Sequence, residues 1–184
     1  LRFNNNVTQF NRWGLQFQIS YKLFKPIEVG FAYEYQLFND VDYSDIQPRQ
    51  RYSAFLQGKL KLNRFSFIVR EKVRRTIKDE RDRIDEYGNY DTYKINPKYE
   101  WGNFLRVSYN IPNFPITPSF SFQSFYQLNN PDGNLFDELR YTVSLTYKFK
   151  KKHEFDLNGI LKQEINITDP VNTYIIGIGY KFSF

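Results

Sequence analysis

Charged side chains recur two residues apart along much of this sequence, and that spacing is where chemistry could begin. Arg51, Lys59 and Lys61 share one parity, and Arg70, Lys72 and Arg74 share another in the segment that follows. Residues of one parity share a face of a strand. Lys59, Lys61, Arg70, Lys72 and Arg74, joined by Arg106 from a later segment, would therefore form one basic cluster. Arg140, Lys148 and Lys162 extend it, and Glu28, Glu34, Glu154, Asp156 and Glu164 are the acids on the same side. Two readings fit this face. Ion pairs and Gln/Ser hydrogen bonds can fill and plug the space, because buried charges need partners. Alternatively, a ring of Lys and Arg can line a small anion-preferring pore.

Other chemistries find little to work with. The single histidine, His153, follows Lys150-Lys151-Lys152 in a turn, and no serine is marked out as a nucleophile for it to activate. An enzyme is not expected, and a lipid-modifying one is the weakest of the functional readings. There is no cysteine, so disulfides and thiolate metal sites are excluded. Asn39-Asp40-Val41-Asp42-Tyr43-Ser44-Asp45 has spaced carboxylates but lacks the glycine turn and closing glutamate of an EF-hand. It reads as a solvated loop, and no metal or cofactor is expected. The net charge of +6 raises nucleic acid as a partner. An RNA-binding sheet interleaves rings and cations on one face, whereas here they fall on opposite faces, so nucleic acid is not expected.

The elements that would carry these residues are strands. From Trp13 the apolar set is Trp13, Leu15, Phe17, Ile19, Tyr21 and Leu23, with Gly14, Gln16, Gln18, Ser20 and Lys22 between them. Ile27, Val29, Phe31, Tyr33, Tyr35 and Leu37 repeat the pattern. It recurs in residues 52–62, 101–111, 116–128, 139–149 and 174–184, and more weakly in 65–76 and 155–165. One face is thus wholly apolar and the other polar or small. Aromatic residues make up 20% of the chain while mean hydropathy is −0.63. No apolar run approaches the roughly 20 residues of a membrane helix. A barrel wall reconciles rings with polarity, since only every second residue must be apolar. A soluble lipocalin-like barrel, the rival, would put the apolar set inside.

Connections alternate between short (24–26, 63–64, 112–115, 150–152) and long (39–50, 77–98, 129–138, 166–172). Bacterial outer-membrane barrels have tight periplasmic turns and long outer loops. That sets an orientation in which the last strand runs down to a periplasmic C-terminus. Trp13, Tyr35, Tyr52, Trp101, Tyr126, Tyr141 and Tyr174 then form an outer ring belt. Tyr21, Phe65, Tyr109, Tyr147, Phe149, Phe155, Tyr180 and Phe182 form an inner one. Glu71, Asn103, Ser124 and Gln163 interrupt the apolar face. Either a β-bulge in residues 65–76 shifts the register, which is the preferred account, or this wall faces a protein partner. The longest loop, 77–98, mixes charges with Tyr87, Tyr90 and Tyr93, which could form a contact surface.

The tail Tyr174-Ile175-Ile176-Gly177-Ile178-Gly179-Tyr180-Lys181-Phe182-Ser183-Phe184 resembles the C-terminal signal read by the barrel-assembly machinery, with Ile176, Ile178, Tyr180, Phe182 and Phe184 at the matching positions. Arg12-Trp13, Ser20-Tyr21-Lys22-Leu23, Phe104-Leu105-Arg106-Val107-Ser108-Tyr109, Leu139-Arg140-Tyr141, Tyr147-Lys148-Phe149 and Ile176-Gly177-Ile178-Gly179-Tyr180-Lys181-Phe182 resemble an uncharacterised family of small outer-membrane barrels from Bacteroidota, carried as a domain of unknown function. The resemblance lends no catalytic residues and implies a strand or two ahead of Leu1. Leu1-Arg2-Phe3 itself reads as the tail of a truncated strand. The expectation is a single all-β domain over residues 1–184, an antiparallel up-and-down transmembrane β-barrel of about ten strands, or twelve, in a Gram-negative outer membrane. Its expected partners are outer-membrane lipid, the assembly machinery and a larger outer-membrane complex in which it is a structural or accessory subunit.

Overall fold

The computed structural model describes residues 2–4, 9–40, 45–81, 83–84, 87–149 and 152–182. Their strands are β1 (Arg2–Asn4), β2 (Gln9–Phe24), β3 (Ile27–Asp40), β4 (Asp45–Leu62), β5 (Phe65–Lys78), β6 (Lys98–Tyr109), β7 (Ile116–Gln127), β8 (Leu135–Phe149), β9 (His153–Glu164) and β10 (Asn172–Phe182). All belong to one antiparallel sheet whose spatial order is the sequence order. The sheet is an up-and-down half-barrel of nine long strands, with the three-residue β1 on the loop end of β2. No helix among the described residues is long and apolar enough to cross a membrane.

The two-residue period decides which way each side chain faces. On the convex side, Leu15, Phe17, Ile19 and Tyr21 of β2 are exposed, and Ile176 and Ile178 of β10 are 84% and 85% exposed. On the concave side the buried residues are largely polar, among them Gln36, Gln57, Glu100, Ser121 and Ser144. The curl brings the sheet edges toward a common space. Arg12 and Gly14 of β2 line the same cavity as Ile175, Ile176 and Gly177 of β10. Among the described residues, no hydrogen-bonded register joins β10 to β1 or β2.

Strand ends depart from the sequence expectation in an instructive way. β4 begins at Asp45, not near Tyr52, and pairs Asn39↔Ile46, Phe38↔Gln47 and Leu37↔Pro48 with β3. The expected loop over residues 39–50 is largely hairpin. Asp, Gln and Pro suggest a turn by composition, but beyond the apolar band a ladder needs only donors and acceptors, and Pro48 still offers its carbonyl, to the Asp79 amide at 3.0 Å. The sorting of connections by end survives: β3 and β4, β5 and β6, β7 and β8, and β9 and β10 are joined at one end of the sheet, and β2 and β3, β4 and β5, β6 and β7, and β8 and β9 at the other. We refer to these as the loop end and the turn end. Asn63 in the two-residue turn between β4 and β5 takes φ 52°, a left-handed backbone that asparagine tolerates.

The expected bulge in residues 65–76 is not there. β5 pairs with β4 and with β6 without a register shift, so Glu71 stands on the convex face. The shifts lie at Arg2/Phe3, at Lys22/Phe24 and at Phe125/Tyr126, where Asp137 is the extra residue of β8.

One close approach depends on a glycine. Gly30 pairs with Phe55 across β3 and β4. A Cβ on it would come within 2.3 Å of the Phe55 ring and 2.8 Å of the Ile19 carbonyl oxygen. The ring can swing away; the backbone oxygen cannot. Gly30→Val is therefore expected to destabilise the sheet by about 1–3 kcal/mol, the usual range for overpacking. Urea unfolding in detergent micelles, followed by tryptophan fluorescence, checks this, and an unchanged midpoint would refute the close approach.

Candidate functional site

The concave face is ordered in tiers. Toward the loop end, carboxylates and cations from six strands interlock. Arg51 lies 3.6 Å from Glu34. Arg74 donates through Nε and Nη2 to one oxygen of Glu100, at 3.0 and 2.7 Å. Lys98 reaches Glu100 at 3.3 Å and Asp137 at 2.6 Å. Lys162 bridges Glu138 at 3.3 Å and Glu164 at 2.6 Å, and Arg140 also donates to Glu138. These pairs adjoin a cavity of about 740 Å³ lined by Arg12, Arg49, Arg51, Arg74, Arg140 and Lys162, with Glu34 and Glu138 as its acids.

In the middle tier, rings replace carboxylates. Phe55 and Phe125 are 6% and 4% exposed, the most buried phenylalanines described. Arg70 lies over Phe55 at 4.9 Å and Phe104 at 5.7 Å from the ring centroids. Arg74 and Arg140 approach Phe125 at 5.4 and 5.1 Å, and Arg106 approaches Phe104 at 5.3 Å. All lie within the ~6 Å at which a ring face attracts a cation. Arg70 is steadied by Gln57, whose side-chain oxygen accepts from its Nε at 2.8 Å. A smaller cavity of about 200 Å³ opens beside this stack, lined by Arg70, Lys72, Arg106, Phe104, Phe125 and Gln123 among others. Toward the turn end pairing resumes, with Lys59 to Glu28 at 2.9 Å and the Thr146 hydroxyl donating to Asp156 at 2.6 Å.

The basic cluster expected from spacing is thus divided. Arg70, Lys72 and Arg106 share the small cavity, Lys59 and Arg74 are engaged by Glu28 and Glu100, and Lys61 is exposed at the turn end. The inner phenylalanines were missed because both faces were read as pure. The available signal was Ala54-Phe55-Leu56, Phe104-Leu105 and Phe125-Tyr126, where successive apolar residues break the alternation. Glu100, Asp137 and Glu138 were missed because they fall at or just beyond the loop-end limits of the expected strands.

On the convex face, Glu71, Asn103 and Ser124 are register partners across β5, β6 and β7, and Leu139 separates them from Gln163 of β9. Trp101 Nε1 donates to Glu71 at 2.7 Å. With its amide nitrogen turned toward Glu71, Asn103 donates at 2.6 Å and accepts from the Ser124 hydroxyl at 3.2 Å. Ile176, Ile178, Tyr180 and Phe182 alternate along the convex side of β10; Phe184 lies outside the described residues. His153 Nδ1 is 2.8 Å from the Tyr180 hydroxyl, and its ring lies 5.2 Å from that of Phe182, so it takes a place in the turn-end ring belt.

The loop between β5 and β6 is partly folded onto the sheet. Tyr93 turns inward, donating its hydroxyl proton to Gln47 at 2.6 Å and receiving Arg49 at 3.3 Å, while the Lys78 ammonium sits 3.8 Å from its ring centroid. Tyr87 and Tyr90 remain exposed. A hydrogen bond from Arg81 holds the Asp79 carboxyl down to about 2. Of the carboxylate loop read earlier, residues 41–44 lie outside the described residues.

The model of a family of proteins of unknown function, DUF2490, matches residues 1–174. No curated protein and no solved structure matches the chain.

Removing one member of a buried ion pair strands the other. Arg74→Met is expected to cost up to about 3 kcal/mol, the low end for a broken buried pair because Lys98 still reaches Glu100. The double variant R74M/E100M should be less destabilised than the sum of the two single changes. Additive costs in a double-mutant cycle of urea midpoints would show that the pair is not coupled.

Proposed function

This chain belongs to the DUF2490 family, and we propose that it is an outer-membrane β-barrel acting as a structural or accessory subunit of a larger outer-membrane complex, its interior plugged by its own side chains. The observation that carries this reading is the opposition of the two faces. A convex surface of exposed Leu, Ile, Val and aromatic residues, interrupted by the row Glu71, Asn103 and Ser124, surrounds a concave surface whose charges largely bind one another. A soluble monomer rarely exposes a contiguous apolar patch beyond a few hundred Å². In a bilayer the same surface is solvated by lipid.

Further features agree. Trp13, Tyr174 and Trp101 ring the loop end, and Tyr21, Tyr147 and Tyr180 ring the turn end, matching the two headgroup levels of a membrane. That arrangement puts the turns and the end of β10 in the periplasm. The resemblance of the strand segments to Bacteroidota barrels supports a Gram-negative source. The Arg–Phe stack and ion-pair tiers argue for a closed lumen. A carboxylate at Glu71 on the lipid-facing wall is costly near the bilayer midplane, and a protein neighbour there would relieve the cost. The second reading, a small anion-preferring pore, is favoured by the three cations around the smaller cavity.

Two measurements separate these. The refolded chain should run as a heat-modifiable band on semi-native gels, and planar bilayers containing it should stay electrically silent. Steady anion-selective steps would overturn the plugged reading in favour of the pore. In native membranes, Glu71→Leu should keep heat-modifiable migration yet shift the protein from a large to a small species on native gels in mild detergent. A species unchanged by E71L would remove this wall as the contact.

A further inference from the structure

Lys72 is the exception on the concave face. The charged groups that act on it most strongly, Arg74, Arg70, Arg51 and Arg140, are all cations. Among the described residues no carboxylate, amide oxygen or ring face engages its ammonium. The cavity it lines with Arg70 and Arg106 has no acid in its walls. Arg106 contributes a buried Nε that finds no acceptor. Glu28, the carboxylate that acts on Arg70, is itself held by Lys59 at 2.9 Å.

A half-buried ammonium among guanidiniums is costly unless a counter-charge joins it. Near neutral pH no described residue offers one, so a counter-charge would come from solution. The donors also suit one class of ion. The Arg106 guanidinium, the Arg70 nitrogen not taken by Gln57 and the Lys72 ammonium line a single space, which favours an acceptor with several oxygens over chloride or a lone carboxylate. The volume agrees: about 200 Å³ corresponds to roughly six waters at ~30 Å³ each, enough for a tetrahedral oxyanion and a short substituent. The aliphatic and aromatic walls, Ile68, Phe104 and Phe125, lower the local polarity and strengthen such contacts.

We propose that the cavity between β5, β6 and β7 is a binding site for a phosphate-type oxyanion, free or as the ester of a small molecule, held by Arg70, Lys72 and Arg106. The site rests on the geometry of the concave face alone and is independent of whether the barrel is an accessory subunit or a pore.

Calorimetric titration of the full refolded chain in detergent tests it, with inorganic phosphate, glycerol phosphate and chloride as separate probes. Saturable binding of either phosphate in excess of chloride is expected; the tighter of the two assigns the free ion or the ester. Lys72→Gln and Arg106→Gln should each weaken that binding by about 10- to 100-fold, as expected for losing a hydrogen bond to a charged group. Lys61→Gln, outside the cavity, should leave it unchanged, and heat-modifiable migration verifies that each variant is folded. Absence of saturable phosphate binding to the folded wild-type chain, or binding that K72Q and R106Q leave intact, overturns the proposal.

Discussion

A cation on the inner face of a narrow curled sheet cannot turn out into bulk water as a surface lysine does, so something in the fold must meet it. That constraint explains the order of the interior. Where β3, β4, β5, β6, β8 and β9 approach the loop end, Glu34, Glu100 and Glu138 answer Arg51, Arg74 and Lys162. Deeper in, Arg70 and Arg106 pair with no described carboxylate and lie over Phe55 and Phe104, while Arg74 and Arg140 add the face of Phe125 to their acids. A planar guanidinium can lie on a ring where an ammonium would remain hydrated. This is why four arginines occupy the ring stack, while the one lysine of that tier, Lys72, is left without an internal partner.

Much of this fold was legible because a strand's faces alternate strictly. A barrel wall asks one thing of every second residue, and Leu15-Gln16-Phe17-Gln18-Ile19 answers without ambiguity. What was not legible has a common cause: alternation identifies the apolar wall but says little about the space inside. Phe55 and Phe125 violate the pattern on the concave side, where rings serve cations. The loop-end acids were hidden because composition marks polar residues as loop, whereas the ladders of β6 and β8 run on through Glu100↔Gln127 and Glu138↔Glu164. The site inherits the same limit. Spacing identified six basic residues, but which of them are neutralised depends on partners from β3 and β6, and pairing across strands is not a property of local sequence.

Glu71 illustrates the same electrostatic rule on the opposite face. A bulge would have hidden it by turning the register, but β5 keeps full pairing on both sides. The neighbouring strand instead brings donors to the carboxylate. Trp101 supplies an indole N–H and Asn103 an amide N–H, and Ser124 completes the chain of hydrogen bonds. These donors come from adjacent register positions on β6 and β7, so the row is a property of the sheet rather than of one residue. A carboxylate that accepts two hydrogen bonds is less costly in an apolar setting than a bare one, though still charged. The row is therefore tolerable in lipid and better suited to a protein neighbour that can complete its hydrogen bonds.

The edges of the sheet place a parity condition on any closed form. β2 and β10 run in the same direction, since each of the strands from β2 to β10 is antiparallel to the next. Joining them directly would require a parallel pair, foreign to an up-and-down barrel. Exposed edges in hydrocarbon are costly, because each unpaired backbone group there lacks water to bind. A closed up-and-down form would place an odd number of strands between β10 and β2, and β1, antiparallel to β2, occupies the loop end of that gap. One strand in the gap makes ten and three make twelve, so the nine long strands described here restrict a closed barrel to even totals.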